Sequence, residues 1–308
     1  MSRWGNSKAL TQASYGLVKE HPGLNRWTIR ATVRGAVVGG AGVLLGLGLV
    51  VAGGEMSDSA SKSGGSVLGI VAVVLGAVLV LLALVAGLTA ANMQLAGLVS
   101  ATDDVLHGRE LDEQAATAAA RARLGTLAAW SGISVAVGGL VSLVRGDGNS
   151  GIFVTIVRSL LAGMVAAVWS VVTTLVMPVI VLENLGAVAA IKRSAGIIRT
   201  TWGEAVFGSV RIGVRFGLMF ALPGVLLLVG GIALGIVVGG PAMVAGAALA
   251  LLGVVLIIVG AVRAATCRNV FGVALYRWAT GEGALGPFSE DDLRGAVAIK
   301  GGSAPVAV

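Results

Sequence analysis

Hydrophobic and polar positions along this chain fall into long blocks rather than into alternation. Six nearly uncharged runs occupy residues 35–54, 67–89, 125–144, 152–176, 216–238 and 242–262. Each is close to the roughly 20 apolar residues that a helix needs to cross about 30 Å of hydrocarbon. The pattern predicts an all-α integral membrane protein: six transmembrane helices arranged as three hairpins, plus cytoplasmic interfacial amphipathic helices. On this division residues 1–34 are an amphipathic cytoplasmic leader, 35–265 the six-span membrane domain and 266–308 a cytoplasmic tail.

Composition agrees. The 308 residues are 56% hydrophobic and 12% charged, with mean hydropathy +0.94, whereas soluble domains carry roughly 25% charged residues. A polar lead with six Lys and Arg precedes the first apolar run, which is not the form of a cleavable signal peptide. The first span is therefore expected to stay in the mature protein.

The net charge of +7 finds its explanation in topology. Nineteen of the 22 basic residues fall in the leader, in the segments after spans 2 and 4, and in the tail. Lys62 and Arg145 lie in the short alternate loops and Arg158 lies inside span 4. Basic residues favour the cytoplasmic side of short loops, so both termini are expected in the cytoplasm and the protein in the cytoplasmic (inner) membrane. No exposed basic domain marks a nucleic-acid partner. A single cysteine, Cys267, excludes an intramolecular disulfide. The isolated His21 and His107 do not make a histidine-ligated metal site, and no cofactor is expected.

The three hairpins also suggest an architectural repeat. "SYGLVK" from Ser14 echoes "SAGIIR" from Ser194, and "NMQLAGLVSATDDVLHGREL" after span 2 echoes "NVFGVALYRWATGEGAL" after span 6. Gly35 and Gly39, Gly42 and Gly46, and Gly231, Gly235 and Gly239 have the spacing of close helix packing, and internal packing is the favoured use.

The stretch "MPVIVLENLGAVAAIKRSAGIIRTTWG", residues 177–203, is the most informative polar segment. Pro178 removes a backbone donor and is expected to stop or kink the helix of span 4. Val188, Ile191, Ala195 and Ile198 then fall on one helical face, with Lys192 and Arg199 flanking it. An interfacial helix over 184–200 is predicted, with its basic side chains reaching anionic lipid headgroups and Glu183 favoured at its amino end. Glu183, Lys192, Arg193 and Arg199 are the candidate contacts to lipid or to a protein partner at the cytoplasmic face.

"PVIVLENLGAVAAIKRSAGIIRTTWGE", "ARARLGTLAAWSGI" and "VFGVALYRWATGEG" resemble an uncharacterised family of bacterial and archaeal six-span membrane proteins. The most specific part is the order Pro178, Glu183, Gly186, Arg193, Ser194, Trp202, Gly203. A more distant similarity is to the membrane portion fused to some bacterial glycerophosphodiester phosphodiesterases, without the catalytic domain's histidines and metal-binding carboxylates. The resemblance implies fold and topology and leaves activity open.

Arg158, Thr173 and Thr174 are the intramembrane polar candidates. No Asp or Glu lies in a predicted span, which disfavours proton-coupled transport. Arg158 is close enough to the outer end of its helix to snorkel outward. "TDDVLHGRELDEQ" lacks the spacing of a calcium loop and is expected to be a solvated linker. In "FSEDDL", Ser289 and Asp292 have the form of a helix start. The expectation is a non-catalytic scaffold or accessory factor in the lipid bilayer. A small-solute or lipid transporter or channel is the alternative, and a lipid-modifying enzyme is the third class. The sequence does not determine the oligomeric state.

Overall fold

The computed structural model describes residues 3–60, 67–146, 152–202, 217–238, 240 and 242–297. Among these the chain is helical and contains no strand. Its helices are α1 Arg3–Glu20, α2 Gly23–Ala60, α3 Val67–Leu106, α4 Glu113–Ala122, α5 Leu124–Arg145, α6 Ile152–Val172, α7 Val176–Leu182 and α8 Ala187–Trp202. A π-helical turn, Gly217–Ala221, leads into α9 Leu222–Val238, followed by α10 Ala242–Ala279 and α11 Glu290–Val297. Lys62, Gly203, Arg211, Arg215, Gly239 and the tail beyond Val297 lie outside the described residues.

Among the described residues, five helical stretches are long and apolar enough to cross a membrane: Gly23–Ser57, Val67–Leu106, Leu124–Arg145, Met219–Val238 and Ala242–Ala279. Val154–Ser170 is a shorter apolar helix. In the five, at most 17% of the most apolar window is buried inside the protein, so most of their Leu, Val and Ile side chains are left uncovered by protein, as suits a surrounding of lipid. The protein is membrane-embedded.

The long helices outrun the hydrocarbon. With 40 residues, α3 extends about 60 Å, twice the thickness of a bilayer core. Its exposed large apolar side chains end at Leu84, and beyond them Ala96, Leu98, Val99, Ala101 and Val105 are buried. Similarly, those of α10 end at Val259, after which Cys267, Val270, Val273 and Ala274 are buried. Each helix is thus exposed and apolar along one half and packed against protein along the other. Neither residue 34 nor residue 265 marks a structural break, since α2 and α10 run through both without interruption.

The described residues fall into two compact units. Unit 1 comprises Met1–Thr28, Ala101–Leu111 and Gly196–Val308. In it α9 and α10 form a close antiparallel hairpin, and α1 packs on α10 and α11. The α1 face that packs is Leu10, Thr11, Ser14, Leu17 and Val18, so the leader's apolar stripe meets protein. As expected, Ser289 caps α11: its Oγ accepts from the Asp292 N–H at 3.1 Å and donates to Asp292 Oδ2 at 2.6 Å.

Unit 2 comprises Ile29–Ser100 and Asp112–Ala195. Here α2 and α3 form a second close hairpin, and α5 packs on α6 with Trp130 stacked on Trp169, ring centroids 5.7 Å apart. Buried between α3 and α5, Asn92 Nδ2 donates to Ser131 Oγ at 3.0 Å.

Glycine sets the closeness of two hairpins. A Cβ on Gly46 would lie 2.8 Å from the Gly76 carbonyl oxygen, and one on Gly76 would lie 2.6 Å from that of Gly46. In the other unit the corresponding distances are 2.8 Å from Gly224 to Gly253 O and 2.5 Å from Gly253 to Gly224 O. These approaches exclude any side chain and let two backbones touch. The buried small residues recur every seventh position: Gly39, Gly46 and Gly53 face Gly69, Gly76 and Ala83, and Gly224 and Gly231 face Gly246 and Gly253. That period keeps one face of an antiparallel pair in register. The middle hairpin has the same spacing in α5, at Gly125, Gly132 and Gly139, but nothing lies within 4 Å of a Cβ placed there.

Candidate functional site

Two clusters of charge stand out, one in each unit. The larger gathers the ends of α3 and α10 in unit 1. Asp103, three residues before the end of α3, has a side chain only 8% exposed. Arg277, near the end of α10, donates to it twice: Nε to Oδ1 at 2.7 Å and Nη2 to Oδ2 at 2.9 Å. A third donor comes from Arg109, whose Nη2 lies 3.1 Å from Asp103 Oδ2 while its Nε binds Asp104 Oδ1 at 2.8 Å. The remaining Nη1 of Arg277 pairs with Glu282, in the turn after α10. Glu282 sits between Gly281 and Gly283, both at positive φ (93° and 80°), a backbone path that strongly favours glycine. The ring of His107 completes the group, with Nδ1 2.7 Å from the Asp103 carbonyl oxygen and Nε2 3.2 Å from Glu282 Oε2.

The expected solvated linker is thus corrected at Asp103, which is withdrawn from water and held by a planar, bidentate guanidinium. A buried carboxylate persists only with such partners. A sequence signal existed in the echo between the two helix ends, which places an acid on one copy and an arginine on the other. Glu110 stays exposed and Asp112 caps α4, accepting from the N–H groups of Gln114 and Ala115 at 2.8 and 3.0 Å. Among the described residues no group of His, Cys, Asp and Glu is arranged to hold a metal ion.

The second cluster lies in unit 2. Pro178 is the third residue of α7 and lacks the N–H that would bond the Thr174 carbonyl, and the helix is interrupted at Thr173–Leu175. Glu183 then caps the C-terminal end of α7 and receives Arg193 Nε at 3.1 Å on each carboxylate oxygen. The carboxylate acts through this ion pair rather than through a helix amino end. One residue further, Ser194 is fully buried and donates to the Val172 carbonyl.

The orientation of α8 differs from the expected one. Its buried face is Ala187, Ala190, Ser194, Ile197 and Ile198, whereas Val188 is 58% exposed. Lys192, Arg193 and Arg199 occupy the opposite, exposed face. The same face is buried in α1 through Leu10, Ser14, Leu17 and Val18, so the echo around Ser14 and Ser194 extends to packing: both serines are fully buried.

The intramembrane candidates do not converge. Thr173 Oγ1 donates to the Trp169 carbonyl and Thr174 Oγ1 to the Ser170 carbonyl, each at 2.8 Å, back onto the last turn of α6. The Arg158 guanidinium lies against Gly146, the C-cap of α5, where a Cβ would be 2.8 Å from Nη1. A cation is favoured there by the helix dipole.

A family-wide sequence profile matches residues 77–286, from within α3 to the turn after α10. The chain belongs to the family of unknown function DUF6159. The matched segment includes both charge clusters entire. No curated protein and no solved structure matches the chain.

Proposed function

We propose that this DUF6159 chain is a non-catalytic, multi-pass protein of the cell membrane that serves as a scaffold or accessory factor at its cytoplasmic face. The helix over Val154–Ser170 is taken as the sixth span. An even count keeps the basic leader and the basic tail on one side, as the charge bias requires.

The carrying observation is the division of labour among polar side chains. Asp103, Arg277, Glu183 and Arg193 are tied to one another in pairs, and Thr173 and Thr174 bond back onto the end of α6. What faces outward is the side of α8 with Val188, Lys192 and Arg199. Its opposite side is packed in protein, so this helix presents a fixed basic surface. Each such side chain near an anionic leaflet contributes about 1 kcal/mol. The likeness to the membrane portion of glycerophosphodiester phosphodiesterases belongs to this reading, as a membrane part that accompanies chemistry carried elsewhere.

The test is mass spectrometry of what stays bound when the protein is extracted with its surrounding lipid at native expression. A protein in fixed ratio supports the scaffold. One enriched small solute would replace this reading with transport.

A further inference from the structure

We infer that Arg263, held over the Phe220 ring, seats the phosphodiester of one anionic phospholipid at the end of the α9–α10 hairpin. Its guanidinium carbon lies 5.7 Å from the ring centroid, within the range of a cation–π contact. That contact consumes no N–H group. Among the described residues Arg263 has neither a hydrogen-bond acceptor nor a carboxylate partner, so its fork of donors is free for an oxyanion.

The glycine register of the hairpin breaks to make this arrangement. Gly231 backs onto Gly246 and Gly224 onto Gly253, so one more step of seven would pair Gly217 with Gly260. Instead the π-helical turn Gly217–Ala221 brings the Phe220 side chain against Gly260. Single π turns of this kind recur at functional sites. Here an aromatic ring takes the place of a glycine contact, and Arg263, less than one turn beyond Gly260, lies over it.

The depth suits a phosphate. From Met243, exposed near the other end of the α10 span, the helix rises about 30 Å to Arg263, which matches the thickness of the hydrocarbon. Leu252, Val255 and Val259 precede Arg263 by eleven, eight and four residues, on one helical face, and all three are exposed. An acyl chain lying along that stripe ends with its phosphate beside the guanidinium, whose planar fork matches two phosphate oxygens. Arg268, further along α10, is exposed and likewise has no carboxylate partner among the described residues. With two uncompensated cations and no carboxylate to receive an ammonium, the charge favours an anionic headgroup over a zwitterionic one. Such a seat requires only a membrane-embedded chain and stands apart from the scaffold reading.

The full chain is placed in nanodiscs of equal phosphatidylglycerol and phosphatidylcholine and released in the mass spectrometer. It is expected to keep one phosphatidylglycerol after the bulk lipid is stripped. Arg263→Gln should lower the ratio of lipid-bound to lipid-free protein by about tenfold or more, as loss of hydrogen bonds to a charged group does. Phe220→Leu should lower it by about two- to fivefold, the effect of losing the ring. Arg268→Gln makes the same change in net charge away from the ring and should leave the ratio as it was. Undiminished retention in Arg263→Gln overturns the seat. So does an equal fall in Arg268→Gln, which would mean diffuse attraction to the leaflet. Displacement of the lipid by millimolar glycerol phosphate would assign a soluble phosphate ester and overturn the lipid as occupant. If Arg263→Gln does not elute as a monodisperse species, Phe220→Leu carries the test, and full retention there also overturns the proposal.

Discussion

Arg277 grips Asp103 through two guanidinium nitrogens at 2.7 and 2.9 Å, joining positions 174 residues apart in the chain. Both side chains are largely withdrawn from solvent, 19% and 8% exposed, so the pair behaves as a buried one. Removing one partner strands the other charge, which costs about 3–5 kcal/mol when burial is complete. Asp103→Ala and Arg277→Ala should each lower the melting temperature in detergent by a large margin. The double substitution should add little to either single one. Strict additivity would mean that the two side chains do not depend on each other.

Glycine positions separate into two classes that substitution can tell apart. Gly253→Ala drives a methyl to 2.5 Å from the Gly224 carbonyl oxygen and should cost about 1–3 kcal/mol, as overpacking does. Gly138 has nothing within 4 Å of its Cβ position, and Gly138→Ala should gain about 0.5–1 kcal/mol through helix propensity. Thermal unfolding of the two variants in the same detergent gives opposite signs if the hairpins are packed as described.

Glu183→Ala releases Arg193, which is 49% exposed. Exposed ion pairs contribute about 0–1 kcal/mol, so global stability should hardly move. Locally, trypsin should cut after Arg193 more readily. Cleavage after Arg199 should change less, because Ile197 and Ile198 beside it are buried. Equal protection at Arg193 in both proteins would show that the ion pair does not restrain the start of α8.

Arg158→Leu removes the cation beside Gly146 at the end of α5. If Arg158 serves the helix end, the substitution lowers the melting temperature and leaves solute flux in liposomes as it was. A change in flux with stability intact would reinstate a passage.

Orientation is read from thiol labelling of intact cells. Cys267 is fully buried, and a buried thiol is unreactive, so it should remain silent from either side. Met56, 44% exposed near the end of α2, and Glu20, exposed at the end of α1, are better reporters. With cytoplasmic termini, Met56→Cys reacts with an impermeant reagent in intact cells and Glu20→Cys only after lysis. The reverse pattern would invert the topology.

By itself the sequence determined the elements: apolar runs long enough to span, an all-helical fold, the break near Pro178, the Ser289 cap and the internal use of glycine. These are local properties, decided by composition and by the backbone chemistry of neighbouring residues. It did not determine which side of α8 is buried. Val188 and Ala187 are adjacent and both apolar, and one step of helix rotation, set by packing, sends Ser194 inward to the Val172 carbonyl. Nor did it show that Asp103 is dry, because an acid in a polar stretch looks solvated until an arginine from a distant helix end is seen to meet it. The tertiary structure decided these points, since burial and charge pairing depend on which distant segments come together.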